Sequence, residues 1–270
     1  MNKPELLAPG GSLEKLKTAI MYGADAVYIG GEAFSLRTAA ENFSHEDMLE
    51  GIKFAHDRGK KVYLTANIIP HNKDIAEFED FVNEIRPMGF DAVLISDLGM
   101  FDIIRTAAPE LPVHISTQAN NVNWRSAAMW HKLGAKRVVL AREMSFDEIR
   151  EIREKAPKEL ELEAFVHGAM CISYSGRCLL SNYLTNRDAN MGACSHPCRW
   201  NYSLVEEKRP GQYMDVFENE RGTFIFNSKD LCTIRHIPEL VKSGISSFKI
   251  EGRVKTPYYV ATVIGAYRRE

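Results

Sequence analysis

The sequence predicts an α/β protein, a TIM-like (β/α)8 barrel with a cysteine-containing insertion between strands seven and eight. Three observations predict it. Short apolar runs alternate with amphipathic helical stretches seven times before residue 171. An eighth run follows a long irregular stretch. The chain has 270 residues, and one such barrel needs about 250. The competing arrangement, an open doubly wound sheet, calls for fewer repeats.

The seven runs are PELLAPGG (4–11), ADAVYIGG (24–31), KKVYLTAN (60–67), FDAVLISD (90–97), PVHISTQAN (112–120), AKRVVLARE (135–143) and LELEAFVHGAM (160–170). Between them lie helical stretches such as SLEKLKTAIMYG, HEDMLEGIKFAHDRG and SFDEIREIREKA, with apolar residues at three- and four-residue steps. Gly23, Gly59, Gly89 and Gly134 close four of these helices, and Ser12, Ser44 and Ser145 stand where N-caps belong. The eighth strand is SSFKIEG (246–252), followed by the helix YYVATVIGAYRR. Residues 171–245 interrupt the rhythm and include a hairpin pattern from NYSLVEEK to FIFNS. An insertion after strand seven sits over the C-terminal mouth, where barrel enzymes work. We read residues 1–270 as a single domain. Glu270 closes the sequence inside a helical pattern, which suggests a piece of something longer.

Composition excludes several classes. Apolar residues make up 45% and charged residues 26%, enough for a normal core. A formal charge of −2 argues against a generally basic nucleic-acid binder, though not against a local basic patch. No apolar run approaches the ~20 residues of a membrane helix, and MNKPELLAPGG lacks a secretory apolar stretch. The reading is cytoplasmic, with no membrane association. There persistent disulfides are rare, and five cysteines are an odd number.

Those cysteines are Cys171, Cys178, Cys194, Cys198 and Cys232, spaced C-x6-C-x15-C-x3-C-x33-C. Reduced and clustered, they suit a zinc ion or an iron–sulfur cluster. Zinc sites prefer two to four residues between paired cysteines, and only Cys194/Cys198 obeys that. Two other readings stand beside it: inert buried thiols, and a nucleophile served by His167 or His196.

Strand ends supply a second set. Asn67, Asp97, Ser116, Gln118, Asn120, Arg142, Glu143 and His167 fall at C-terminal strand ends and converge on one mouth in a barrel. After strand eight come Lys249, Glu251, Arg253 and Lys255. Arg142 and Arg253 suit a carboxylate or phosphate, and Glu143 and Glu251 suit charge balance or acid–base work. A purely structural charge network is the plain alternative. Gly10-Gly11 and Gly30-Gly31 are read either as turns or as room for a ligand.

The stretch EAFVHGAMCISYSGRCLLS (163–181) resembles the signature of the peptidase U32 family, called collagenase-like. APGGSLEKLKTAIMYGADAVYIGG, STQANNVN, NRDANMGACSHPCRW, NSKDLC and FKIEGRVKTPYYV resemble further family stretches, so the likeness covers nearly the whole chain. The resemblance implies a TIM-like barrel. It also implies membership of the branch that hydroxylates tRNA wobble uridine at the 5-carbon, independently of oxygen and dependent on prephenate. By resemblance, a [4Fe–4S] cluster is held by Cys171, Cys178, Cys194 and Cys232, with Cys198 spare. Full-length members continue into a small C-terminal β domain, absent from this chain. On this reading Asn67, Gln118, Arg142, Lys249 and Arg253 bind substrate, and His167 and Glu251 are the acid–base pair. The partners are tRNA and an electron-transfer or scaffold protein. Two alternatives stay open: a U32 peptidase acting on collagen-like chains, and a non-catalytic RNA-binding or scaffold component.

Overall fold

The computed structural model describes residues 3–36, 43–171, 173–174, 177–200, 203–205, 207–208, 210–215, 218–219, 222–223 and 230–270. Seven strands arrive in the predicted order: β1 (Glu5–Pro9), β2 (Ala26–Gly30), β3 (Lys61–Thr65), β4 (Ala92–Ile95), β5 (Val113–Ile115), β6 (Arg137–Val139) and β7 (Glu161–Gly168). The insertion contributes four short strands, β8 (Ser203–Val205), β9 (Tyr213–Asp215), β10 (Glu218–Asn219) and β11 (Gly222–Thr223). Then come β12 (Leu231–Cys232) and the last barrel strand, β13 (Ser247–Ile250). β1 to β7 pair in sequence, and β13 closes the ring between β7 and β1, every pair parallel. The fold is therefore a closed eight-stranded parallel barrel.

Helices α1 (Leu13–Met21), α2 (His45–His56), α3 (Asn72–Ile85), α4 (Leu98–Ala107), α5 (Trp124–Leu133) and α6 (Phe146–Lys155) connect successive strands. Their starts are built as the sequence implies. Ser12 and Ser44 accept the backbone N–H three residues on, and Ser145 forms a capping box with Glu148. Gly134, at the end of α5, takes φ 110°, a conformation a side chain resists; the other three predicted glycines also have positive φ. The insertion carries α7 (Leu180–Thr185) and α8 (Ile237–Lys242), and α9 (Pro257–Arg269) ends the chain. Leu240 of α8 is buried in the wall, so the end of the insertion doubles as the crossover helix into β13. The predicted hairpin appears as β8 paired antiparallel with β9, Leu204 opposite Met214; part of that stretch lies outside the described residues.

Two apolar layers hold the barrel. The larger lies between strands and helices, and includes Val27, Ile29, Leu64, Ile95 and Val166. The smaller fills the inside with Leu7, Tyr28, Tyr63, Leu94 and Val139, against Phe165. Strand alternation also sends charge inward. Arg137 is 4% exposed, with Glu5 and Glu161 at 2.6 Å and Glu163 at 3.0 Å. Lys249 reaches the same Glu163 at 2.8 Å, and Tyr63 donates to Glu5 at 2.6 Å. Burial alone would raise the Glu5 carboxyl, but the Arg137 charge and hydrogen bonds hold it below its ordinary value.

His114 shares this interior. It is 3% exposed, its ring lies edge-on to Tyr63, and its Nδ1 has no hydrogen-bond partner. Burial, then the charges of Arg137 and Lys249, push its pKa well below the usual histidine value. The folded state thus keeps the ring neutral while the unfolded chain takes a proton below about pH 6.5. Stability from this group is complete above that pH and falls on acidification, by up to about 1.4 kcal/mol per pH unit. His114→Phe keeps the ring and removes the proton site. Urea midpoints at pH 7.5 and 5.5 are expected to differ less in His114→Phe than in the wild type. Equal pH slopes would refute this account of His114.

Candidate functional site at the barrel mouth

The strand ends converge as the parallel barrel requires. A cavity at the C-terminal mouth is lined by Asn67, Gln118, Arg142, Lys249, Glu251 and Arg253, all singled out in the sequence. Ser116 lines it too. The Asn67 amide donates to Ser116 Oγ at 3.0 Å and to Gln118 Oε1 at 3.2 Å, which fixes the two amides edge to edge. Lys249 forms the floor, its Nζ 4.4 Å from the Tyr28 ring centre and paired with Glu163. Burial lowers its pKa, and the Glu163 carboxylate opposes that shift. The Arg142 guanidinium stacks 3.9 Å from the Phe165 ring centre and donates to Ala169 O at 2.6 Å.

Arg253 is buried because glycines make room for it. A Cβ on Gly11 would collide with the Arg253 carbonyl oxygen, and one on Gly30 with its guanidinium. Its Nη1 donates to Ser35 Oγ and Leu36 O at 2.8 Å each and to Thr65 Oγ1 at 3.1 Å. Gly11 thus admits the backbone of Arg253 and Gly30 its side chain, which neither sequence reading of the glycine pairs included.

Other strand-end residues do not join the cavity lining. Asp97 caps α4 by accepting from Gly99 and Met100. Asn120 takes φ 53° and donates to Gln118 O, and Glu143 is exposed. Lys255 lies 5.5 Å from the Tyr259 ring centre. His167 is turned away. Lys249 pairs with Phe165 and Ile250 with His167, so β7 carries one extra residue at Val166. That bulge breaks the alternation. The His167 ring faces α9, 5.6 Å from Tyr267 and 6.0 Å from Tyr259. Burial, more than neighbouring charge, lowers its pKa. Tyr28, Thr65 and Phe165 line the cavity but escaped the sequence reading. Tyr28 and Phe165 were detectable as alternate positions of strands whose inward faces carry polar groups.

All five cysteines are free thiols. Cys171 lies three residues beyond β7 and is half-buried. Burial raises its pKa, negative charge on Cys178 and Cys194 raises it further, and Arg142 lowers it. Three of the predicted ligands therefore share one electrostatic neighbourhood with a cavity arginine. Cys232 comes from β12, which runs antiparallel to the end of β7 and sets Cys232 opposite His167. Cys198 is buried. Among the described residues, no three His, Cys, Asp or Glu side chains stand close enough to hold a metal ion. A four-iron cluster is larger than one ion and holds its thiolates further apart. The donor set, four reduced thiols with Arg142 to offset negative charge, fits such a group chemically.

The profile of Peptidase family U32 matches residues 11–270. The chain belongs to the peptidase U32 family. A U32 relative from Escherichia coli, "tRNA hydroxylation protein P", is 43% identical over 311 aligned positions, covering 100% of this chain and 68% of its own length. A second, "Collagenase" of Porphyromonas gingivalis, is 36% identical over 99% of this chain and 65% of its own length. The chain thus spans about two thirds of these relatives. The solved structure "The Structure of the U32 Peptidase Mk0906" superimposes with a TM-score of 0.60 at 14% identity, over 93% of this chain and 94% of that one. At that identity it supports the barrel fold alone. No helix among the described residues is long and apolar enough to cross a membrane.

Proposed function

We propose that this chain is the barrel part of a protein that hydroxylates tRNA wobble uridine at the 5-carbon, using prephenate and a [4Fe–4S] cluster. One observation carries the reading: three cationic side chains and a pair of fixed amides converge at the mouth of a U32 barrel, where Cys171 follows the end of β7. The printed name of the E. coli relative supplies the reaction class.

Arg142, Lys249 and Arg253 give the cavity the charge to hold the carboxylates of prephenate. Asn67 and Gln118 offer the amide edges that match the polar edge of a uracil. Phe165 and Tyr28 provide the flat apolar surface against which such rings pack. Glu251, buried in the cavity lining, is the acid–base group of this reading. His167 neighbours Cys232 rather than the cavity, so its part belongs with the thiols. Cys171, Cys178, Cys194 and Cys232 hold the cluster, which supplies one-electron chemistry when bound. An electron-transfer partner follows from that chemistry.

Anaerobically purified protein is expected to contain iron and acid-labile sulfide and to absorb broadly near ~400 nm. Cys171→Ala is expected to lose both. Mass spectrometry of tRNA from cells lacking the gene should find wobble uridine unhydroxylated, restored by the wild-type gene. Wild-type protein without iron, or unchanged tRNA, would defeat the proposal. The peptidase reading draws on names; in the cavity, Ser116 Oγ bonds to Asn67 and Gln118, neither of them a base. Gelatin cleavage abolished by Ser116→Ala would favour it instead.

A further inference from the structure

The short helix α7 is built inside out. Its inward positions are polar: Ser181 is fully buried, and its hydroxyl lies 3.0 Å from Ser195 Oγ. Thr185 Oγ1 lies 2.8 Å from the same oxygen, and Ser195 N donates back to Ser181. Its outward side carries apolar groups. Tyr183 is 86% exposed and Leu179, four residues earlier, 68%. An ordinary surface helix does the reverse. Tyr174 and Trp200 are exposed aromatics of the same insertion.

Charge accompanies these rings. From Cys171 to Trp200 the sequence has three arginines and one acid, Asp188, a balance of +2 in a chain of −2. Arg177 and Arg187 are both exposed. Asp188 is committed to a local turn, accepting from Asn190 N at 2.8 Å. The unit is fastened over the mouth: Asn190 O accepts from Ile69 N at 3.3 Å, just past β3. Arg199 donates to Met170 O, beside the exit of β7.

We infer that the outward face of α7, centred on Tyr183 and flanked by Arg177 and Arg187, is a stacking platform for unpaired bases of an RNA loop. This rests on the tRNA reading above and adds where the loop outside the target nucleotide lies. Exposed aromatics interleaved with arginines suit single-stranded RNA, whose splayed bases stack while the phosphates meet cations. A protein partner would use similar side chains. The net positive balance and the anchoring of the unit beside the amide-lined mouth favour RNA.

The test measures binding of a fluorescent anticodon stem–loop RNA and, as control, a blunt duplex of the same length. Tyr183→Ala is expected to weaken loop binding about 10-fold, with Tyr183→Phe retaining it and duplex binding unchanged. Because Tyr183 is almost wholly exposed, thermal melts should be unaltered. In cells, Tyr183→Ala should lower wobble hydroxylation while iron content stays at the wild-type level. If Tyr183→Ala binds the loop and supports hydroxylation as the wild type does, the platform is refuted and the proposed function stands. If the wild-type gene gives no hydroxylation, the functional reading fails and takes the platform with it.

Discussion

Arg137→Met is expected to cost the fold about 3–5 kcal/mol, the largest effect of any single substitution considered for the barrel interior. Arg137 is the hub on which Glu5, Glu161 and Glu163 depend. Glu163 is fully buried, and among the described residues Lys249 would remain as its ion-pair partner. The methionine fills most of the volume, so the penalty reflects uncompensated carboxylates rather than a void. Equilibrium urea unfolding at neutral pH measures it. Adding Glu163→Gln to Arg137→Met should recover part of the loss, because a neutral amide tolerates burial better. A loss below about 1 kcal/mol would mean that water reaches these groups and that the network is worth little.

The largest functional effect is expected at Arg142. Its guanidinium lines the mouth cavity, lies over Phe165 and sits in the electrostatic neighbourhood of Cys171. A hydrogen bond from a charged group contributes about 1.5–3 kcal/mol, so Arg142→Ala should lower hydroxylation efficiency about 10- to 150-fold. Arg142→Lys should rescue little, because an ammonium neither stacks on Phe165 like a planar guanidinium nor donates two parallel bonds. The measurement is the hydroxylated fraction of wobble uridine in complemented cells, with iron content of the purified variants recorded alongside. Normal iron with lost activity places Arg142 on the substrate; normal activity in Arg142→Ala removes it from the site.

Much of this molecule was legible in its residues. The short apolar runs became the eight barrel strands because a parallel strand covered by helices buries its outer face. The strand-end rule then collected Asn67, Gln118, Arg142, Lys249, Glu251 and Arg253 around one cavity. His167 escaped that rule because its direction is set by a bulge, visible only in how β7 meets β13. The service of Gly11 and Gly30 to Arg253 was hidden for a related reason: it joins residues more than 200 positions apart. The inner charges left a fainter trace. In LELEAF, Glu161 and Glu163 alternate with leucine, the period of a strand with a polar inner face. The Arg137 that balances them lies on the neighbouring strand β6, opposite Glu161 in register, where the run AKRVVLARE gives no sign that its side chain turns inward.

The pairing of β12 with β7 has an evolutionary reach. Leu231 is the register partner of Gly168, so the chain returns beside the point where it left the barrel. Everything between is an excursion with fastened ends. Doubling the length of such a detour costs only about 0.6 kcal/mol in closure entropy. Descendants of this sequence are therefore free to lengthen, trim or replace the stretch between Trp200 and Asp230, acquiring new surfaces for new substrates, while the wall beneath keeps its shape.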